Sequence, residues 1–413
     1  MFVHYTRERP CIARMQLLMH NMHSATGLPM PIEVNFYGHL SSVFGLAGGA
    51  KATLRSLTAA GLSVNSINMQ LNTHEAFDCE QQLDSKPIDN ASIDIIHTNP
   101  NILKSVPNLL KVSELKSPLR IAYWAWELEE FPNGWETAFD QYDEIWCPSS
   151  YCATALIQRS PIPVISIPHL PDWNKLDQLS RKRALLQPQQ IESKPVQFLC
   201  LFDFWSTLER KNPEAVIKAF KLAFQNQLAH APKARLVIKS SNAKQFPLDA
   251  KKISLIIDND PNIEWIDTLL SQNELENLYL KSDVFVSLHR AEGFGLCIAE
   301  AMASGLTVIA TGYSGNLEFM PIGSAHLVPW HYTSIKETTG DYPIGAIWAE
   351  PCLDYVVNCM HELVNNFEAN RILGWAGHKA VNEILNSDKI CNQIHQRIGT
   401  LLLGPSRREL LSN

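Results

Sequence analysis

The sequence lacks several features that would place a protein at once. It holds no apolar run of about 18 residues, the length a helix needs to cross a bilayer, so no membrane span is expected. Its start, MFVHYTRERPCIARMQLLMHNMHSATGLP, is broken by Arg7, Glu8, Arg9 and Pro10 before a secretory core could form, which argues against export. The nine cysteines include no C-x-x-C pair and several sit inside apolar runs. They read as reduced, buried thiols of a cytoplasmic chain rather than as disulfides or structural zinc ligands. An excess of positive charge is missing too: 35 Lys and Arg against 42 Asp and Glu give a net charge of -7. No broad basic face is available for nucleic acid, and any bound anion must be held locally. Internal repeats and low-complexity tracts are absent. With 46 % hydrophobic and 19 % charged residues, the 413-residue chain is an ordinary globular one. At about 150 residues per domain it should contain two or three domains.

What is present is an alternation of short Val-, Ile- and Phe-rich runs with helix-length amphipathic segments, the mark of a parallel sheet covered on both faces. The pattern runs twice. The first set predicts strands at Ile32–Tyr37, Ser63–Ile67, Ile93–His97, Leu119–Trp124, Glu144–Cys147 and Val164–Ile167. The second predicts strands at Gln197–Phe202, Arg235–Lys239, Ile263–Ile266, Val284–Leu288, Thr307–Ala310 and His326–Val328. Helices fit between them, among them Leu46–Ala60, Trp135–Gln141, Tyr151–Gln158, Leu296–Ser304 and Pro213–Gln225, the last with Asn212 as its expected cap. The polar stretch Asp172–Lys194 reads as a linker and hinge. The division expected is an extension at 1–31, a Rossmann-like domain at 32–171, a linker at 172–195, a second Rossmann-like domain at 196–385 and a C-terminal helix at 386–413. Such α/β domains in tandem place their ligands in the cleft between the carboxyl ends of the two sheets.

The richest stretch is Ser282–Met320, SDVFVSLHRAEGFGLCIAEAMASGLTVIATGYSGNLEFM. A buried strand leads into a turn with Glu292, Gly293, Phe294 and Gly295, and a helix then carries Glu300. Glycines before a helix N-terminus let backbone N–H groups approach an anion, and the two carboxylates can accept hydrogen bonds from sugar hydroxyls. The same residues also fit a plain tight turn with solvated glutamates. Ser314, Gly315 and Asn316 form a later turn that can present further donors, or simply start a helix. Asp258-Asn259-Asp260 has the form of a D-x-D metal motif but precedes Pro261 in what reads as a surface turn. His20 and His23 lack partners at ligand spacing, so no metal site is expected.

The Glu292-to-Glu300 segment resembles the E-x7-E signature of family 4 of the retaining glycosyltransferases, with GFGL and EAMASG in their usual places. That resemblance implies a GT-B fold, a first glutamate facing the donor sugar and a second holding the nucleotide ribose. It also implies a role for FDFWSTLERKNPEAVIKAF (Phe202–Phe220), in which Arg210 and Lys211 would clamp the leaving diphosphate by charge and hydrogen bonding. Gly48 and Gly49, in GLAGG, resemble the glycine loop near the donor diphosphate in GT-B enzymes. At YWAWELEEFP (Tyr123–Pro132) the histidine that many family members carry is missing. A subgroup with a W-E-L run matches better, and there Glu127 is the polar group expected to face the acceptor or sugar; the Trp348-Ala349-Glu350-Pro351 run also resembles a subgroup associated with bacterial surface polysaccharides, or is simply an ordered turn. Trp124 and Trp126 could form an aromatic platform for a sugar ring or belong to the core, and His97 is a candidate for the cleft floor.

The expected activity is therefore metal-independent, retaining transfer of a sugar from a nucleoside-diphosphate sugar to a glycan or lipid-linked acceptor. The donor is a co-substrate, so no cofactor is expected. GDP-mannose is the donor suggested by the mannosyltransferase-like subgroup, and a lipid-linked acceptor would bring the chain to the inner face of the membrane. Two other classes fit the same fold, a non-catalytic nucleotide-sugar-binding partner and a sugar-nucleotide epimerase.

Overall fold

Segments such as IDIIH at 93–97 and TVIAT at 307–311 are buried at every position, which only strands covered on both faces achieve. The computed structural model describes residues 32–71, 86–104, 111–185, 194–226 and 233–404. The extension at 1–31, part of the linker at 186–193 and the tail from 405 lie outside the described residues.

Two six-stranded parallel sheets form the body of the molecule. The first holds β1 (Glu33–Gly38), β2 (Ser63–Asn68), β3 (Ile93–His97), β4 (Leu119–Tyr123), β5 (Glu144–Cys147) and β6 (Val164–Ser166), in the order β2-β1-β3-β4-β5-β6. The second holds β7 (Val196–Leu201), β8 (Ala234–Ser240), β9 (Ile263–Asp267), β10 (Val284–Ser287), β11 (Thr307–Thr311) and β12 (His326–Val328), in the order β12-β11-β10-β7-β8-β9. Strand order reverses between β1 and β3 in one sheet and between β7 and β10 in the other. Crevices beyond such switch points are where doubly wound sheets bind ligands. The α/β architecture with two tandem Rossmann-like sheets is the one expected from the sequence.

The helices that position the cleft are α1 (Gly45–Ala59), α2 (Ser150–Ile157), α3 (Trp173–Ala184), α4 (Leu208–Lys211), α5 (Pro213–Phe224), α6 (Pro247–Ile257), α7 (Gln272–Lys281), α8 (Leu296–Ala303), α9 (Leu353–Asn365), α10 (Phe367–Ile384) and α11 (Ser387–Leu403). The predicted helix at Trp135–Gln141 is a 3-10 segment, Glu136–Gln141. Asn212 does not cap α5 with its side chain. It adopts a left-handed conformation, φ 52°, that bends the chain from α4 into α5. Within the stretch read as a linker, α3 buries Leu176 and Leu179, and Arg183 donates to the carbonyls of Ser304 and Ser282 at 3.0 and 2.9 Å. Most of this stretch is thereby a docked helix of the second domain. The WAEP run, which read as a subgroup mark or an ordered turn, is the strand β14 (Ile347–Pro351), paired antiparallel with β13 (Trp330–Ser334).

The chain then returns. Helix α11 packs against α1 of the first domain, and Arg397 engages the wholly buried Glu144 with two contacts of 2.7 Å from Nε and a further one from its terminal nitrogen. Trp146 Nε1 donates to the same carboxylate at 2.7 Å. An unpaired carboxylate at this depth would cost several kcal/mol, so the last helix is part of the first domain's stability. Among the described residues no helix is long and apolar enough to cross a membrane.

Candidate active site

Both switch points deliver side chains to one place. After β7 the chain makes a short 3-10 turn and α4, which ends in Arg210 and Lys211. After β10 it turns through Glu292 to Gly295, the residue preceding α8, whose φ is 91°. Arg210 is 4 % exposed and Glu292 6 %. Arg210 reaches Glu292 Oε2 at 3.2 Å and Lys211 Nζ reaches Glu292 Oε1 at 2.5 Å. The guanidinium also donates to the carbonyls of Ala291 at 2.9 Å and Ser206 at 3.2 Å. Arg210 further lies 3.9 Å from Glu127 Oε1 of the first domain and 5.9 Å over the ring of Tyr342. Tyr342, on the β13–β14 connection, donates to Glu127 Oε2 at 2.9 Å. The result is an array, with Glu292, Arg210 and Tyr342 buried and Lys211 and Glu127 partly exposed, that bridges the domains.

The charges tune one another. Burial alone would raise the Glu292 carboxyl, but Lys211 and Arg210, with a smaller effect from His289, hold it at about 2. Burial likewise raises Glu127; Arg210 opposes that rise and the nearby Glu292 adds to it. Burial works against the Arg210 guanidinium, yet Tyr342, Glu127 and Glu292 keep its pKa above the ordinary arginine value. A fixed cation pair beside a carboxylate, largely shielded from water, is suited to stabilising an oxyanion and a cationic carbon together.

The turn after β10 is held from both sides. Glu292 N–H donates to Ser314 Oγ at 2.8 Å, Gly315 N–H donates to the Glu292 carbonyl at 2.8 Å, and Asn316 Nδ2 donates to the Thr311 carbonyl at 3.0 Å. Position 315 must be glycine: a Cβ there would lie 2.1 Å from the Gly293 carbonyl oxygen. From the first domain, Ser149 Oγ donates to that oxygen at 2.6 Å. Phe294 stacks edge-on against His169, ring centroids 5.1 Å apart. Above these, the glycine loop presses in. A Cβ at Gly49 would meet His169 Nε2 at 2.9 Å and His97 Cε1 at 3.2 Å, and one at Gly48 would meet Leu296 of α8 at 3.3 Å. Helix α8 begins at this junction, with Ile298 and Ala299 N–H both donating to the Gly295 carbonyl at 3.0 Å, and a helix N-terminus favours anions.

Other residues marked by the sequence sit elsewhere. Glu300, on α8, accepts from Tyr279 OH at 3.4 Å. Burial raises its pKa and Arg55 of α1 lowers it, so a first-domain cation faces it across the cleft. His97 is fully buried, stacked on Tyr123 at 4.2 Å, and among the described residues no hydrogen-bond partner meets either ring nitrogen. Burial lowers its pKa and His169 adds to the fall, so the ring is neutral. Trp124 is 0 % exposed and packs on Trp135, Phe139 and Tyr142, which makes it core rather than a platform. Trp126 is nearly as buried, but its ring lies 5.6 Å from that of Tyr342 and walls a cavity at the cleft mouth. Tyr342, His169, Ser149 and Arg55 were not anticipated. Only Tyr342 had a nearby signal, the WAEP strand that ends its loop.

Residues 201–324 match the family model described as glycosyl transferases group 1. The match includes Arg210, Lys211, Glu292, Glu300 and the Ser314 turn. A sucrose synthase from Melioribacter roseus is 43 % identical over 65 residues, 15 % of this chain and 8 % of its own. The chain spans under a quarter of the length of the curated relatives it matches. Among solved structures, sucrose-phosphate synthase from Thermosynechococcus elongatus superposes with a TM-score of 0.61 at 15 % identity, covering 90 % of this chain and 99 % of that one. HepE from Anabaena, solved with UDP and glucose, gives 0.59 at 15 % identity, covering 90 % and 100 %. Residues 201–324 are thus similar to the group 1 glycosyl transferases, and the chain shares the GT-B fold of these solved structures.

Proposed function

We propose that the protein is a retaining glycosyltransferase that moves a sugar from a nucleoside-diphosphate sugar to a saccharide acceptor without a metal ion. The observation that carries this reading is the convergence of Arg210 and Lys211 on Glu292 at the β7/β10 switch point, within the stretch matched by the family model. In this reading the first-turn amides of α8 and Lys211 take the diphosphate, and Glu300 takes the ribose. Arg210 orients Glu292 and neutralises the departing phosphate, while Glu127, held by Tyr342, faces the sugar from the first domain. As the anomeric bond to the diphosphate breaks, cations meet the leaving group and carboxylates meet the developing positive carbon.

Neither nearby carboxylate is disposed as a nucleophile: Glu292 is engaged by two cations and Glu127 by Tyr342 and Arg210. Front-face displacement fits better. The acceptor oxygen forms its bond on the side the diphosphate leaves, and its proton passes to the departing phosphate oxygen. A trapped covalent glycosyl-enzyme would overturn this route. For the base of the donor, the resemblance to polysaccharide mannosyltransferases favours GDP, and several similar structures hold UDP.

The test is a thermal-shift panel of GDP, UDP, ADP and their sugars, with and without EDTA, on the wild type and Glu300→Ala. A ligand that binds only the folded state raises Tm with its concentration. One nucleotide should do so in EDTA, and the shift should vanish in the variant. Absence of any shift overturns the enzyme reading in favour of a fold kept without its donor site.

A further inference from the structure

A cavity of about 320 Å³ opens at the cleft mouth, between the first-domain loop that follows Trp126 and the β13–β14 connection. None of the residues assigned to the donor lines it. Trp126 and Phe131 form its apolar wall, and Glu129, Glu130 and Asp341 line it with Lys104 as the one cation among the described lining residues; Arg159 lies 5.9 Å from the centroid of the Phe131 ring and is paired with Glu136. It touches the array on two sides. Trp126 precedes Glu127 and Asp341 precedes Tyr342, the two residues joined at 2.9 Å across the domains. The rim is braced as well: Asn101 donates to Asp341 at 2.7 Å, and Tyr313 and Tyr332 both donate to Glu129 Oε1 at 2.9 Å.

An apolar face with carboxylates around it suits a sugar ring, whose C–H face packs on the aromatic wall while its hydroxyls donate to the acids. The same acids repel an anionic unit. We infer that this cavity is an acceptor subsite for a saccharide unit bearing no negative charge, one unit removed from the reacting hydroxyl, and that it rejects uronate and phosphorylated sugars. The inference rests on the glycosyl-transfer reading, and its test separates the two.

Neutral trisaccharides of several linkages and the corresponding trigalacturonate are titrated against the full chain by tryptophan fluorescence and by saturation-transfer NMR. At least one neutral trisaccharide should bind and the uronate should not. Ala346→Trp, which fills the cavity from the hairpin side, should weaken neutral binding at least about tenfold, and Glu130→Lys with Asp341→Lys should turn the preference toward the uronate by a similar factor. Donor hydrolysis without acceptor, measured in parallel, should be unchanged in Ala346→Trp. Tighter uronate binding by the wild type, no binding of any neutral trisaccharide, or binding indifferent to both variants overturns the subsite. If donor hydrolysis persists in those cases, the subsite falls alone; if the nucleotide panel also fails, the glycosyl-transfer reading falls with it.

Discussion

Replacing Glu292 by Gln keeps the size of the side chain and removes one charge between Lys211 and Arg210. In the folded chain the carboxyl is held at about 2, against its usual 4.5. At about 1.36 kcal/mol per pKa unit, the ionised form is favoured by the fold by about 3 kcal/mol at neutral pH. Little of this is lost to solvent, because the Glu292 side chain is 9 % exposed and that of Arg210 5 %. The folded pKa is depressed, so this stability is complete above the unfolded value and disappears as pH falls from about 4.5 toward about 2. Urea titrations of wild type and Glu292→Gln, followed by near-UV circular dichroism, should differ by about 3 kcal/mol at pH 7 and by about half of that near pH 3. A gap that stays constant from pH 7 to pH 3, or one below about 1 kcal/mol at pH 7, would refute the argument that Arg210 and Lys211 are balanced on this buried carboxylate.

Two further outcomes follow from the same geometry. Arg210→Ala should lower kcat by about 10²- to 10³-fold while nucleotide affinity changes far less, as removal of a transition-state contact does; equal kcat for variant and wild type would sink the clamp role. Gly315→Ala should force the Gly293 carbonyl aside, lowering stability by about 1–3 kcal/mol and abolishing the nucleotide-induced rise in Tm. A variant with an unchanged Tm rise would show that the turn after β10 is not part of the donor site.

Most parallel strands were legible because burial on both faces leaves continuous apolar runs, and β3 and β5, buried at every position, fall on the residues expected, as does the half-exposed edge strand β12. The hairpin was not. Its first strand, WHYTS, is half-exposed and short, so no apolar period announces it, and only pairing with β14 makes it a strand. Asn212 misled because the residue type that caps helices also tolerates the left-handed conformation it adopts here. In the site, residues close to one another in sequence were found together: Arg210 with Lys211, and Glu292 with its glycine turn. Contacts spanning long separations stayed hidden. Tyr342 meets Glu127 across 215 positions, and nothing local distinguishes it from any other loop tyrosine. Trp124 and Trp126 share one strand end and one residue type, yet one is core and the other a cavity wall. That difference is decided by the hairpin, which lies far along the chain.

The return of α11 to the first domain matters during biosynthesis. Glu144 is buried at 0 % exposure, and its partner Arg397 lies 253 residues downstream. At ribosomal speeds of about 5–20 residues per second, that carboxylate waits some tens of seconds for its counter-ion. Until then the Glu144 carboxyl of the nascent first sheet lacks this partner and stays open on the side that α11 will cover. The two halves of the molecule therefore do not mature in the order in which they are made. The second sheet can close as soon as its own helices emerge, while the first is completed only once α11 has been made, so the cleft between them forms after the strands of both sheets exist.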